Sequence, residues 1–381
     1  MEWKIPLFRI NNEETDIKAV TDIIRRGSYW TTGPEIKEFE SKIAEYVGKK
    51  YALTFNSGTS ALHTLLLAHS VSGGEIIVPS FTFISTANAV VLAGARPVFA
   101  ESEPDTLGLD VKDVKKRITP KTKAVIAIDY GGCICRDIDR LRELCREKNI
   151  QLIEDAAESF GSTAKDRMAG SLSDSAIFSF CQNKIITTGE GGAAVTDSKE
   201  IYEKMKLIRS HGRIENDQGY FSNPEDSDYI DIGYNYRMCS ITASIGLSQI
   251  NRVDKIIMER RSIAKEYNEA FSKIKEIKTP SEPPGFKHVY QMYSILINKK
   301  TKRDALKKHL EKNGVMVKVY FNPVHLKTYY MKRFNYHIGD LPFTEDISNR
   351  VLSLPIYPGI KKEDLKFIIN IINDFFRKST R

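Results

Sequence analysis

The chain has 381 residues, 57 of them Lys or Arg and 49 Asp or Glu, for a formal charge of +8 at neutral pH. A composition that is 41% apolar and 28% charged excludes disorder, collagen and coiled coil as the main plan, and the length fits two or three cores better than one. Five cysteines (133, 135, 145, 181 and 239) in so long a chain read as reduced thiols of a cytoplasmic protein, not as a disulfide framework.

The start, Met1-Glu2-Trp3-Lys4-Ile5-Pro6, lacks a basic run followed by an apolar one, so no signal peptide is read. Ile17, Val20, Ile23 and Ile24 recur at helical spacing, with Gly27 as the stop, and a second amphipathic stretch runs from Ile36 to Val47 before Gly48. Short apolar runs then alternate with periodic helical ones. The runs are Tyr51–Phe55, Glu75–Pro79, Pro97–Phe99, Ala124–Asp129, Ile150–Asp155, Ala176–Phe180 and Ala193–Thr196. Strands apolar on both faces and separated by helices predict a mostly parallel, helix-covered sheet. The apolar region from Ile76 to Ala95 is interrupted by Pro79, Ser80, Thr82 and Asn88, which predicts strand, turn and helix, not a membrane span.

Gly212 to Tyr229 is polar and loop-like, and Ser240 to Ile274 reads as helical. The Pro-rich stretch Lys278–Gly285 is a loop by composition. After it come an expected strand (Val289–Ile297), a helix (Arg303–Asn313), a strand (Val315–Phe321) and a terminal helix with Leu365, Ile368, Ile369, Ile372 and Phe376 on one face. The fold class is therefore α/β: a large domain over residues 1–250 and a smaller C-terminal α/β domain over 251–381. No Lys/Arg block or basic recognition helix stands out, so no nucleic-acid partner is read.

Four pieces lie at the ends of predicted strands, where open α/β sheets bind ligands. Asn56-Ser57-Gly58-Thr59-Ser60 joins a strand to an apolar helix and is either an anion cradle or an ordinary helix cap. Ile153-Glu154-Asp155-Ala156-Ala157-Glu158 closes a strand with carboxylates. Without neighbouring His or Cys it is not read as a metal site; a cap, a base or a partner for a protonated ring nitrogen remain. In Ser179-Phe180-Cys181-Gln182-Asn183-Lys184-Ile185-Ile186, followed by Gly189-Glu190-Gly191-Gly192, a Lys among apolar and small residues is a candidate nucleophile toward an aldehyde, or else a loop Lys before a Gly-rich turn. Gly233-Tyr234-Asn235-Tyr236-Arg237-Met238 reads as a packing corner or an interface. Jointly, a phosphate cradle, a carboxylate, a Ser and a Lys in this order match the needs of pyridoxal phosphate, whose ring must stay protonated to accept electrons.

With these motifs, and with Gly33-Pro34, Pro79-Ser80-Phe81-Thr82-Phe83, His211-Gly212, Pro323-Val324-His325 and Leu354-Pro355, the chain resembles nearly end to end the nucleotide-sugar aminotransferases (the DegT/StrS family) of the fold-type I pyridoxal phosphate enzymes. The resemblance implies that Lys184 is the Schiff-base Lys and proton carrier, and that Asp155 holds the pyridinium nitrogen. It implies that Phe83 stacks on the ring, that Ser57, Gly58, Thr59 and Ser179 hold the phosphate, and that Glu158 lies near the phenolic oxygen. Asn235 would reach the phosphate of a neighbouring subunit, making a homodimer with shared sites. Trp30, Thr32, Gly33, Arg213 and His325 would line the sugar and nucleotide side, and Arg237 with Arg213 would attract the diphosphate. The expected reaction moves an amino group from L-glutamate to a keto group of a nucleotide-diphosphate deoxysugar. A perosamine-synthase-like run from Asn183 to Gly192 points to C4. The rival readings are C3 amination or dehydration of the sugar and, from another class, a non-catalytic cofactor-binding regulator.

Overall fold

In the computed structural model the described residues are 3–214 and 228–378; residues 215–227, most of the polar loop expected between Gly212 and Tyr229, lie outside them. In chain order the strands are β1 (Tyr51–Phe55), β2 (Glu75–Pro79), β3 (Arg96–Ala100), β4 (Thr122–Ile128), β5 (Gln151–Asp155), β6 (Thr163–Ala164), β7 (Arg167–Met168), β8 (Ser175–Ser179) and β9 (Gly192–Thr196). They are followed by β10 (Ile277–Lys278), β11 (Phe286–Lys287), β12 (Tyr293–Ile297) and β13 (Val351–Leu354). The helices that matter to the site are α1 (Glu14–Arg26), α2 (Pro34–Val47), α3 (Gly58–Ala68), α4 (Ser85–Leu92), α5 (Val111–Arg117), α6 (Ile138–Lys148), α7 (Lys199–Arg209), α8 (Ser240–Ile250) and α9 (Val253–Phe271). Local chemistry sets their ends: α1 opens on a capping box between Glu13 and Asp16, and α2 opens on Pro34 and stops at Gly48, whose φ of 79° is left-handed.

The main sheet has seven strands in the order β1-β9-β8-β5-β4-β2-β3. From β8 through β5, β4 and β2 to β3 every pairing is parallel, whereas β9 runs antiparallel to both β1 and β8. Mostly parallel is therefore right, with β9 the exception. The apolar runs lack alternation because both sheet faces are covered. Ile77, Val125, Ala127, Leu152 and Phe178 pack with Phe39 and Ile43 of α2 and Leu141 of α6, while Ile76, Val78, Ile126, Ile153 and Ile177 pack with Leu62, Leu65 and Leu66 of α3.

A second core joins Ile5, Tyr267, Phe271, Tyr293, Ile295, Leu352, Leu354, Ile368 and Ile372 around the small sheet β10-β12-β13. Helix α9 crosses from one core to the other, with Val253, Ile256 and Ile257 in the first and Ile263, Ala264, Tyr267 and Phe271 in the second. Ile5 also pairs with Val315, so a cut after residue 250 does not coincide with a gap between the cores. The helical reading of Ser240 to Ile274 is right in kind, but a turn at residues 251–252 splits it. The strand expected at Val315–Phe321 is not one. Among the described residues it makes only single bridges, Val315 to Ile5 and Lys318 to Ser353, because its apolar side chains fill gaps between cores without a neighbouring strand to pair along. All five cysteines are free thiols, and no described helix is long and apolar enough to cross a membrane.

Candidate active site

Register alone gathers most of the site. Because β1 and β8 both run against β9, they run parallel to each other and end at one edge of the sheet. Gly192 of β9 sits between them, opposite Phe55 on one side and Ser179 on the other. The helix after β1 therefore starts beside Ser179. Ser57 caps α3 by accepting the Ser60 N–H at 3.1 Å, and among the described residues the N–H groups of Gly58 and Thr59 have no acceptor in the protein. Such a helix end attracts an anion. Packing is close: a Cβ at Gly192 would lie 2.5 Å from the Gly58 nitrogen and 2.6 Å from its Cα, and a Cβ at Gly58 would lie 3.0 Å from that of Ser179. Only glycines allow the three strand ends to approach this far.

Asp155 ends β5, which pairs with β8 at Ile177. Its carboxylate accepts the Thr86 hydroxyl of α4 at 2.8 Å and the Ala157 N–H at 3.3 Å. Thr86 in turn is bonded to Thr82 at 2.9 Å. Burial pushes the Asp155 carboxyl above its ordinary range, against the Thr86 and Ala157 hydrogen bonds and the Lys184 charge, which favour the anion. A buried carboxylate with two neutral donors and a surplus of desolvation is a site for a cation. Glu154, its neighbour, faces the opposite side of the sheet. There it accepts Gly170 N–H and the Ser173 hydroxyl beside the equally buried Asp129, and it serves the fold.

Lys184 lies in the loop between β8 and β9, and its Nζ is 3.6 Å from the Glu158 carboxylate. The other Glu158 oxygen accepts the Gly131 N–H at 2.8 Å. Burial raises the Glu158 carboxyl above its ordinary value, and the nearby Lys184 charge opposes that rise. Lys184 and a backbone amide are thus the partners of Glu158. Phe83 leads into α4, where its carbonyl accepts the Thr86 N–H at 3.2 Å, and it is 58% exposed.

Other expected residues fall nearer the rim. Asn235 is exposed, and its carbonyl accepts the Asn56 side-chain amide at 3.4 Å. Arg237 bridges to Phe55 at the end of β1 and donates to the Ser210 hydroxyl at 3.1 Å. Arg213 is buried, and burial together with the charges of Arg237 and Arg213 keeps the His211 imidazole below its ordinary value. Both cations therefore stand close to His211. Trp30 returns its indole N–H to the Ile23 carbonyl at 3.1 Å, and the Trp30 carbonyl and Gly33 N–H are tied to Ser240. That anchors Trp30 to Gly33, including the half-buried Thr32, to the start of α8.

His325 does not line an opening. It is 0% exposed, with Nδ1 2.6 Å from the Ser80 hydroxyl and Nε2 3.2 Å from Glu345. Both ring nitrogens are occupied, by the turn after β2 and by Glu345, so no nitrogen remains for a sugar. The sequence reading also missed groups of the site. Thr86, which orients Asp155, carries only the weak signal of Thr82 and Thr86 one helical turn apart. Gly131, which holds Glu158, is signalled by the Gly131-Gly132 pair after β4. Gln291, considered below, gives no signal.

Comparison with known proteins agrees with the geometry. Residues 11–373 match the model described as the DegT/DnrJ/EryC1/StrS aminotransferase family. The chain is 36% identical over 373 residues to the GDP-perosamine synthase of Escherichia coli O157:H7, covering 98% of each chain. In structure it is similar to Helicobacter pylori PseC, an aminotransferase involved in the biosynthesis of pseudoaminic acid (TM-score 0.91, 28% identity, 99% of this chain and 100% of that one). It is similar also to Spr1654 from Streptococcus pneumoniae in its PMP form (TM-score 0.92, 26% identity, 98% and 100% of the chains).

Proposed function

The chain belongs to the DegT/DnrJ/EryC1/StrS aminotransferase family, and from that premise we propose that it uses pyridoxal phosphate to move an amino group from L-glutamate to the C4 keto group of a nucleotide-diphosphate deoxysugar. The observation that carries this reading is the meeting of Lys184, Asp155, Ser179 and the α3 N-terminus at one sheet edge. When bound, pyridoxal phosphate supplies an aldehyde that takes up the amino group and a protonated ring that accepts electrons.

The residues fit that cofactor. The N–H groups of Gly58 and Thr59 with the Ser57 and Ser179 hydroxyls form a donor set for a phosphate. Asp155, buried and in want of a cation, would hold a protonated ring nitrogen, with Thr86 fixing its orientation. Phe83 offers a ring face for stacking. Lys184 Nζ would bind the aldehyde and then, once freed, carry the proton to and from the substrate carbon. Glu158, held by Gly131, would stand beside Lys184 and receive hydrogen bonds or charge there. Arg237 and Arg213 would draw the diphosphate toward the cleft, and Trp30, Thr32 and Gly33 would border it.

The close approach at Gly192 makes a prediction. Gly192→Ala would push its Cβ against the main chain of Gly58, and overpacking of about 1–3 kcal/mol displaced into the phosphate donors should weaken pyridoxal phosphate binding at least about tenfold. An absorbance titration of the cofactor-stripped variant checks it; parental affinity would contradict the assignment of this cradle.

A homodimer belongs to the same reading. Ile17 and Ile24 on α1 are about half exposed, and Ile232 is 86% exposed; a second copy of the chain would cover them. Asn235, exposed near the end of β1, would reach the phosphate held by the partner subunit.

The named relative supports a sugar nucleotide as acceptor. The test is incubation with GDP-, UDP- and dTDP-linked keto sugars plus glutamate, followed by mass analysis and location of the nitrogen. A C4 amine with 2-oxoglutarate is expected. An amine only at C3 would overturn the regiochemistry, dehydration without amination would favour the rival chemistry, and no product from a cofactor-loaded protein would overturn the sugar assignment.

A further inference from the structure

A residue outside every motif quoted above touches the loop that carries Lys184. The side-chain amide of Gln291 donates through Nε2 to the backbone carbonyl of Asn183 at 2.5 Å, one residue before the reacting Lys. A carbonyl can only accept, so the amide nitrogen must face Asn183 and the side chain has one orientation. Gln291 is 5% exposed, and among the described residues its Oε1 has no hydrogen-bond partner. Buried acceptors left unmet are uncommon, and here the donor end alone makes the side chain's hydrogen bond.

The segment that presents Gln291 is held firmly. Val289 N–H donates to the Gly132 carbonyl and Met292 N–H to the Gly131 carbonyl, at 2.9 and 3.1 Å. Arg260, 3% exposed, donates through Nη1 to the carbonyls of Tyr290, Gln291 and Ile356 at 3.1, 3.4 and 3.2 Å. The same Gly131 offers its N–H to Glu158, whose other oxygen lies 3.6 Å from Lys184 Nζ. Residues 289–292 therefore reach Lys184 from two sides: through the Asn183 main chain, and through Gly131 and Glu158. Helix α9 and β12, between which this segment lies in sequence, belong largely to the second core.

We propose that Gln291 is a positioning residue for Lys184, a clamp by which the segment leading into β12 fixes the backbone from which the reacting amine projects. This rests on the proposed function. Gln291 touches neither cofactor nor substrate in this account; it acts through Asn183. Its loss would let the 181–184 turn shift, and a small misplacement of a group that must reach the substrate carbon is costly to rate while leaving binding nearly intact.

The test uses the pyridoxal phosphate-loaded protein and two variants. Gln291→Met keeps the bulk and removes the donor. Its kcat should fall about tenfold while KM for glutamate changes less than about twofold, and the pH midpoint of its visible cofactor band should move from that of the parent. Gln291→Glu keeps the shape but donates only when protonated, so its deficit should shrink as pH falls from about 9 to about 6, a recovery that mere space-filling would not give. A parent that takes up cofactor at Lys184, with both variants matching it in kcat and band midpoint, would overturn the clamp alone. Equal deficits in both variants at every pH would also overturn it, as the mark of packing without a donor. A parent that takes up no pyridoxal phosphate would overturn the proposed function and this inference with it.

Discussion

Lys184→Ala should leave a folded protein with no measurable aminotransfer, and pyridoxal phosphate added to it should keep the absorption of the free aldehyde without the shift that bonding to a Lys gives. The proposed function asks two things of Lys184. On that proposed function it would be both the amine that bonds to the aldehyde and the group that moves the proton at the substrate carbon. Positioned proton transfer alone is worth on the order of 10²–10⁴ in rate, and loss of the covalent attachment adds to that. The substitution is structurally mild. The Lys184 side chain is 14% exposed and its polar contact is the long one to Glu158 at 3.6 Å. Removing it leaves Glu158, which burial already pushes toward its neutral form, bonded to Gly131. Circular dichroism and thermal unfolding should therefore match the parent. Turnover retained within tenfold would end the assignment of Lys184.

Asp155→Asn separates chemistry from fold in a different way. Removing one partner of a buried charge pair costs about 3–5 kcal/mol, which is roughly 10²–10⁴ in rate at about 1.4 kcal/mol per tenfold. Aminotransfer should fall by that much, because an amide cannot keep a ring nitrogen protonated. The cofactor-free protein should respond oppositely. Burial raises the Asp155 carboxyl above its unfolded value, so the folded state holds the proton more tightly than the unfolded state. Stability is then full below the unfolded value and is lost as pH rises through the folded one. A neutral Asn carries no such loss, and the Thr82–Thr86 hydroxyl pair can turn to meet its amide. Stripped of cofactor at alkaline pH, the variant should melt at or above the parent's temperature. A stripped variant that is destabilised, with activity retained, would reverse the account.

How much of this was legible in the sequence depends on the range of the interactions concerned. Strands β1 and β2 fall at their expected ends because strands buried on both faces leave uninterrupted apolar runs bounded by polar turns. Ser57, Asp155, Ser179 and Lys184 were readable as candidates because Asp155 and Ser179 end strands and Ser57 and Lys184 follow them, and strand order with direction brings such ends together. The bonds that tune those groups were not readable. Thr86 to Asp155, Gly131 to Glu158 and Gln291 to Asn183 join residues far apart in the chain, and a neutral side chain making one distant hydrogen bond leaves no local periodicity. His325 misled for the same reason: its motif is visible, but its burial depends on Ser80 and Glu345, which come from elsewhere. The 315–321 stretch misled because branched apolar residues fill a gap between cores as readily as they build a strand.

The most direct measurement is to load the protein with pyridoxal phosphate, reduce it with borohydride, digest it and locate the added mass by peptide sequencing. One label, on the peptide bearing Lys184 and absent after prior exchange with glutamate, is the predicted result. A label on another Lys, or a protein that binds the cofactor without any covalent trace, would contradict the account.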